Sequence, residues 1–346
     1  MNTDYLRKAL ALARQGIGQV SPNPAVGAIL VRDGEVVGSG YHTWQGVQHA
    51  EVKALSQAGE AARGATLYVT LEPCSHEGRT GPCAAAVSNA GVARVVAAME
   101  DPNPLVAGRG FRMLREAGVK VEIAAAFTAE AERVNEAFVH FMRTGRPLVT
   151  LKTAITLDGK IAAPDDNRGW ITSETAREHV QQLRYETDAI LTGIGTVLAD
   201  DCLLTDRTTL TRSRPLLRIV LDSQLRIPLH SQMVHSAHDD LVIVGTSAAS
   251  SERRKSLEAR SARVLIFDGP GGRADLPSLI NWLGRERYLS LMIEAGSKVN
   301  WAALESDVVD KIFFYYGAKI LGGIQALPMA GGAGRRRRVD AIRVKR

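Results

Sequence analysis

His49-Ala50-Glu51, Pro73-Cys74 and Cys83 give this chain one imidazole, two thiols and a carboxylate in a short stretch. One imidazole with two thiolates is a tetrahedral zinc set whose fourth position stays open, as catalysis requires and a closed structural site does not. Glu51 lies two residues from His49, near a helix start. It can therefore stand beside the metal without ligating it. A carboxylate placed there can carry protons between water, a ring nitrogen and a departing amine. Cys74 ends a strand and Cys83 opens a helix, whose positive end favours the thiolate. A lone His or Cys is more often a core residue than a ligand. All four types in this order, with Pro73 before Cys74, are not what a core produces.

A His-x-Glu followed by Pro-Cys is the pattern of zinc deaminases that act on bases. Those usually space their cysteines by two residues, whereas here eight intervene, SHEGRTGP. That loop carries His76 and Arg79 to the metal, and His42 lies upstream. Such donors can grip a substrate phosphate, or they are plain surface polarity on a loop. Asn23 in SPNPAVG and Asn103 in DPNP sit in proline-fixed turns. A side-chain amide there can read a pyrimidine edge, although turn formation alone also accounts for both.

These side chains need a scaffold of alternating elements. Leu6, Ala9, Leu10, Leu12 and Ala13 recur at helical spacing before Gly16. VGAILV, the turn RDGE and VVGSG read as a hairpin. A helix from His49 to Gly59, the strand 66–71, a helix from Pro82 to Gly91, the strand ARVVAAM, a helix closing at Gly118 and the strand VKVEIA follow. The order predicts a largely parallel sheet covered on both faces. A helix over 128–143 closes at Thr144-Gly145-Arg146-Pro147, which divides the chain into domains 1–146 and 147–346. The second half alternates again: LVTLKTAI, a helix near 173–185, DAILTGI, LRIVLD, LVIVG, RVLIFD, LSLMIE and KIFFYYG. The fold class expected is α/β in both domains.

The composition is that of a globular protein, with 45% hydrophobic and 23% charged residues. No apolar run reaches the length of about 18 that a membrane helix needs, and MNTDYLRKALALARQG is no signal peptide. A soluble, cytoplasmic protein is expected. The net charge of +6 sits wholly in the last twelve residues, RRRRVDAIRVKR, because 1–146 balance to +1 and 147–334 to −1. The surplus is a tail, either solvated or phosphate-binding, and not a nucleic-acid face. Three cysteines make no disulfide framework.

The motifs SPNPAVG, HAE, TLEPCSHEGRTGPC, DPNPLVAGRG, LKTAITLDGKIA, WITS, ILTGIGTVLADD and EAGS run in this order over about residues 1–325. Together they resemble the bifunctional deaminase–reductase family of riboflavin biosynthesis. That resemblance implies a cytidine-deaminase-like α/β/α domain followed by a dihydrofolate-reductase-like α/β domain. It implies hydrolytic removal of the 2-amino group of 2,5-diamino-6-ribosylamino-4(3H)-pyrimidinone 5′-phosphate. Reduction of the ribosyl group to ribityl with NADPH then follows. His49, Cys74 and Cys83 correspond to the Zn²⁺ ligands and Glu51 to the proton donor, and the family is expected to be homo-oligomeric.

In the second half no G-x-G-x-x-G follows a strand, so no Rossmann site is supported. Gly193-Ile194-Gly195-Thr196 and Glu294-Ala295-Gly296-Ser297 are glycine turns at strand ends, weak signals of a ligand along the carboxyl edge. By resemblance Ala154, Trp170, Thr196, Asp200, Ser223 and the segment Gly296, Ser297, Lys298, Val299, Asn300 hold NADPH. Lys152, Arg168, Arg184, Leu204, Arg207 and Glu294 face the substrate. Arg184 and Arg207 are suited to clamp a phosphate, and Lys152 with Glu294 to position the opened ribosyl imine and manage its proton as hydride arrives. Three departures stand out. Arg168 occupies a position commonly serine in that family, and Cys202 one commonly proline. The chain also ends soon after Ile342, where members continue into a final strand, so the reductase domain is expected to lack an edge element. A nucleoside or nucleic-acid base deaminase with an accessory domain is the competing reading. A non-catalytic zinc or dinucleotide-binding module is a third.

Overall fold

The computed structural model describes residues 4–43, 48–76, 81–104, 106–165 and 167–345. The chain forms two compact units, one of Met1–Gly145 with Thr211–Arg214, the other of Arg146–Leu210 with Pro215–Arg346.

In the first unit the helical spacing near the start becomes α1 (Asp4–Gln15), which buries Leu6, Ala9, Leu10 and Ala13. The hairpin is β1 (Gly27–Arg32) and β2 (Glu35–Tyr41). Asp33 and Gly34 turn it with positive φ, as a tight two-residue connection demands. Then come α2 (Ala50–Ala58), β3 (Thr66–Val69), α3 (Cys83–Asn89), β4 (Arg94–Ala97), α4 (Arg109–Glu116), β5 (Lys120–Ile123), α5 (Thr128–Val134) and α6 (Glu136–Thr144). The sheet order is β2-β1-β3-β4-β5. It is mixed, not largely parallel: β1 pairs antiparallel with both β2 and β3, and only β3-β4-β5 run parallel. A tight hairpin must reverse direction, and the sheet inherits that reversal.

Two glycines on β2 set the depth of α2. A side-chain carbon at Gly38 would lie 2.2 Å from the Ala54 carbonyl oxygen, and one at Gly40 2.5 Å from that of Ala50. The helix backbone therefore rests directly on the strand, which carries His49 and Glu51 at its amino end to the sheet's edge. The expected helix over 128–143 is broken into α5 and α6 at Asn135. Its side chain is buried and holds the Ala25 backbone at both ends, accepting from Ala25 N at 2.8 Å and donating to Ala25 O at 3.0 Å.

The second unit comprises β6 (Leu148–Thr156), β7 (Lys160–Ala162), α7 (Glu174–Glu186), β8 (Ala189–Gly193), α8 (Ile194–Asp200), β9 (Leu217–Leu221) and α9 (Gln232–His235). It continues with β10 (Leu241–Gly245), α10 (Ser251–Glu258), β11 (Ala262–Ile266), α11 (Leu276–Arg285), β12 (Ser290–Ile293), α12 (Ser297–Glu305), β13 (Lys311–Gly317) and β14 (Leu327–Pro328). Seven strands form an all-parallel sheet in the order β11-β10-β9-β8-β12-β6-β13, with β13 at one edge. The inner strands β8, β9 and β10 are buried along nearly their whole length because both faces are covered. Leu191, Ile219, Val242 and Leu291 point into one core with α11, while Ile190, Val220, Ile243 and Met292 point into the other with α8, α9 and α10. β7 and β14 pair separately.

Candidate active sites

In the first unit His49 is the residue before α2, and Cys83 is the first residue of α3. Cys74 follows the β3 strand through Glu72-Pro73. The ligand atoms of His49, Cys74 and Cys83 lie within 4.8 Å of one another. His49 Nδ1 is 3.1 Å from Cys83 Sγ and 3.6 Å from Cys74 Sγ, and Cys83 N donates to Cys74 Sγ at 3.3 Å. The hydrogen bond from the Cys83 thiol pulls the Cys74 thiol down to about 4 against the opposing effect of burial. The same bond, with burial added, pushes Cys83 up. The lowered value at Cys74 favours the thiolate, the donor form a zinc ion takes. These separations match the edges of a tetrahedral site with ligand distances of about 2.0–2.3 Å, so the residues fit the ion. Glu51 is 3% exposed beside them. Burial above all, opposed by a hydrogen bond to its own backbone, brings its carboxyl up to about 7.

Several predicted substrate residues gather around this group. His42 is buried, its ring edge-on to His49 at 5.1 Å between centroids. Its Nε2 lies 3.4 Å from Asn23 Nδ2 and its Nδ1 3.3 Å from the Gln48 carbonyl. Burial lowers its pKa, so the neutral ring is favoured. Asn103 N donates to Asp101 Oδ1 at 2.8 Å. Asp101 is pushed up first by burial, with His76 pulling it down. His76 is exposed, and Arg79 lies outside the described residues.

In the second unit Lys152 stands on β6 and Glu294 directly after β12, neighbouring parallel strands. Lys152 Nζ lies 3.5 Å from Glu294 Oε2. Arg184, on α7, closes on the same carboxylate with Nε and Nη2 at 2.8 Å each and donates Nη1 to the Thr205 carbonyl at 2.8 Å. A bidentate fork of this kind orients Glu294. Burial works to raise Glu294, but Arg184 and Lys152 prevail and hold it below the ordinary carboxylate value. Leu204 follows with positive φ, and Arg207 N donates to Gln181 Oε1 at 3.0 Å. Cys202 is half-buried, and burial lifts its thiol to about 11.

The residues expected to hold a nucleotide follow the carboxyl ends of β8, β9 and β12, the edge where open parallel sheets bind ligands. Thr196 and Asp200 are on α8, Ser223 follows β9, and Gly296 precedes α12, which begins Ser297-Lys298-Val299-Asn300. A side-chain carbon at Gly195 would touch nothing within 4 Å, and one at Gly296 only Thr196 Oγ1 at 3.9 Å. Ser297 Oγ and Asn300 Oδ1 are buried without a hydrogen-bond partner among the described residues. Open backbone beside unpaired polar atoms fits a polar ligand such as a nicotinamide nucleotide. Ser223 Oγ, by contrast, is engaged by Ala274 N at 3.0 Å. Ala154 is on β6, Trp170 is exposed under the Arg177 guanidinium, and Arg168 is exposed.

Residues 147–346 match the RibD C-terminal domain, and residues 1–99 match the cytidine and deoxycytidylate deaminase zinc-binding region. The riboflavin biosynthesis protein RibD of Actinobacillus pleuropneumoniae is 42% identical over 99% of this chain and 90% of its own. The chain belongs to the RibD family. Acinetobacter baumannii RibD superposes with a TM-score of 0.89 at 37% identity, covering 99% of this chain and 93% of that one. A Thermotoga maritima diaminohydroxyphosphoribosylaminopyrimidine deaminase/5-amino-6-(5-phosphoribosylamino)uracil reductase gives 0.82 at 32%, covering 94% and 88%. Like other RibD proteins, the chain is a bifunctional deaminase and reductase of riboflavin biosynthesis, with a zinc-binding deaminase domain and a reductase domain. The reductase match excludes the accessory domain of the competing reading. No helix among the described residues is long and apolar enough to cross a membrane. Sequence reasoning missed Asn135, whose only signal was an amide in an apolar helical stretch, and Glu72, hidden inside the Glu-Pro-Cys motif.

Proposed function

We propose that residues 1–146 deaminate the diaminopyrimidinone ribosyl phosphate and that residues 147–346 reduce the deaminated product with NADPH. The observation that carries this reading is the convergence of His49, Cys74 and Cys83 around one point, with buried Glu51 beside them. Zinc, when bound there, supplies a Lewis acid that makes water nucleophilic at neutral pH. Glu51 takes one proton from that water and gives it to the ring nitrogen as the oxygen adds to the ring carbon. It then carries the second proton from the added hydroxyl to the amine, which departs as ammonia and leaves a ring carbonyl. Asn23 and Asn103 hold the pyrimidine, while His42, His76 and Arg79 meet the phosphate.

In the reductase, Thr196, Asp200, Ser223 and Gly296–Asn300, with Ala154 and Trp170, hold NADPH, which supplies the hydride when bound. Arg184 fixes Glu294, and Glu294 fixes the Lys152 ammonium. Lys152 gives the proton needed at the substrate nitrogen. Leu204, Arg168 and Arg207 line the substrate side. The reading extends to a cytoplasmic homo-oligomer, supported by the family resemblance and, for the compartment, by three cysteines that are all free thiols.

One assay tests both halves. Ammonia and reduced-cofactor absorbance are followed together, with and without chelator. Chelation is expected to stop ammonia release and to spare cofactor oxidation when deaminated phosphate is supplied. Ammonia release surviving complete zinc removal refutes the first assignment, and absence of cofactor oxidation refutes the second.

A further inference from the structure

Glu72 has no role in the chemistry above, yet it is 3% exposed and carries no basic partner in any ion pair among the described residues. Among the described residues its carboxylate is bonded by backbone N–H groups alone. Oε2 accepts from Asp101 N at 3.1 Å and from Gly108 N at 3.0 Å, and Oε1 accepts from Phe111 N at 3.1 Å. Its own amide donates to the Met99 carbonyl at 3.0 Å. Asp101 and Gly108 are the two ends of the loop that contains Asn103. One carboxylate thus closes that loop at both ends. Two residues further on is the zinc ligand Cys74, separated by the rigid Pro73. Gly110 completes the arrangement: a side-chain carbon there would lie 2.0 Å from the Pro73 carbonyl oxygen, so α4 abuts the ligand-bearing segment itself.

A helix cap alone does not explain this geometry. Capping would use Gly108 N and Phe111 N, which precede and open α4, whereas Asp101 N lies seven positions upstream of Gly108, across the loop. Nor would glutamine serve. Its amide offers one accepting oxygen and turns an NH₂ toward N–H groups that need an acceptor, leaving buried donors unpaired.

We infer that Glu72 is a positioning residue of the deaminase, one that holds Asn103 at a fixed distance from the metal ligands by clamping both ends of the 101–108 loop. This rests on the reading of Asn103 as a substrate-holding residue. Glu72 touches neither substrate nor metal and acts through Asn103.

The test is a double-mutant cycle in the full-length protein: Glu72→Gln, Asn103→Ala and the pair, with ammonia release measured against substrate concentration. Zinc content and NADPH oxidation with deaminated phosphate are read in the same preparations. Glu72→Gln is expected to raise KM about tenfold with a smaller change in kcat, retaining zinc and reductase activity. The pair is expected to be no worse than Asn103→Ala within about twofold, because residues acting as one unit are not additive. Effects that multiply overturn the inference alone. Asn103→Ala without effect overturns the substrate role of Asn103, and the inference with it. Loss of zinc in Glu72→Gln makes the residue a support of the metal site and also overturns it. Should Glu72→Gln not fold, Glu72→Asp carries the same cycle. In the wild type, Asp101, Gly108 and Phe111 amides are expected to exchange slowly with solvent, and exchange as fast as in an open loop contradicts the clamp.

Discussion

Replacing Glu294 with glutamine probes the reductase site at its most densely bonded point. The carboxylate is 11% exposed and Arg184 13%, with two parallel hydrogen bonds of 2.8 Å and Lys152 a further contact at 3.5 Å. Neutralising the shared anion leaves two cations facing one amide in a poorly solvated place. Breaking a buried pair from one side costs about 3–5 kcal/mol, and the amide oxygen that remains puts the expected loss near ~3. For a unit of this size each kcal/mol moves the midpoint by about 2–4 °C, so a fall of about 6–12 °C is expected in the second unit. Trp282, 7% exposed in its core, is the fluorescence probe. The pH dependence has a definite sign. Glu294 is held below its ordinary value, so its contribution is complete above about 4.5, the value it would have unfolded, and fades as pH falls through the folded value. The wild type should lose stability on that descent, and Glu294→Gln should lose none from this source. Cofactor oxidation should fall by about 10²–10⁴, with ammonia release unchanged. A midpoint within about 2 °C of wild type, or parallel loss of both activities, refutes the reasoning.

Glu51→Gln should lower ammonia release by about 10²–10⁴ while zinc content and cofactor oxidation stay at wild-type levels, as single-turnover assays and metal analysis will show. Gly110→Ala forces a carbon to 2.0 Å from the Pro73 oxygen and should destabilise the first unit by about 1–3 kcal/mol in denaturant titration, with ammonia release falling alongside. Arg218, 1% exposed, bonds Asp240 twice at 2.9 Å and the Leu203 carbonyl at 3.2 Å. Arg218→Met should cost about 1–3 kcal/mol in thermal unfolding, and adding Asp240→Leu should restore part of it, because Asp240 is left half-buried without its cation.

The zinc group was legible because its chemistry admits few residue types, so His49, Glu51, Cys74 and Cys83 stand out without any knowledge of packing. The strands of the second unit were legible because burial on both faces leaves apolar runs such as LVIVG with no alternation to confuse them. What stayed hidden depends on partners distant along the chain. Residues 128–143 read as one helix because their periodicity is unbroken; the break at Asn135 follows from Ala25, 110 positions away. Arg184 and Glu294 were each legible as site residues, but nothing local shows that they pair with one another across 110 positions. The mixed direction of the first sheet follows from β1 lying between β2 and β3, a neighbour choice that a list of strands does not contain.

The position of β6 has a consequence for how the protein is made. It is the first strand of the second unit to leave the ribosome, yet it lies between β12 and β13, the last two of its sheet. Leu148–Thr156 must wait for Ser290–Ile293 before either of its edges finds a hydrogen-bonded neighbour. During that interval a nine-residue strand with unpaired backbone on both edges is an open template for other chains. The pairing of β6 within the second sheet is thus completed last, at a time when β1 to β5 have long had their own partners.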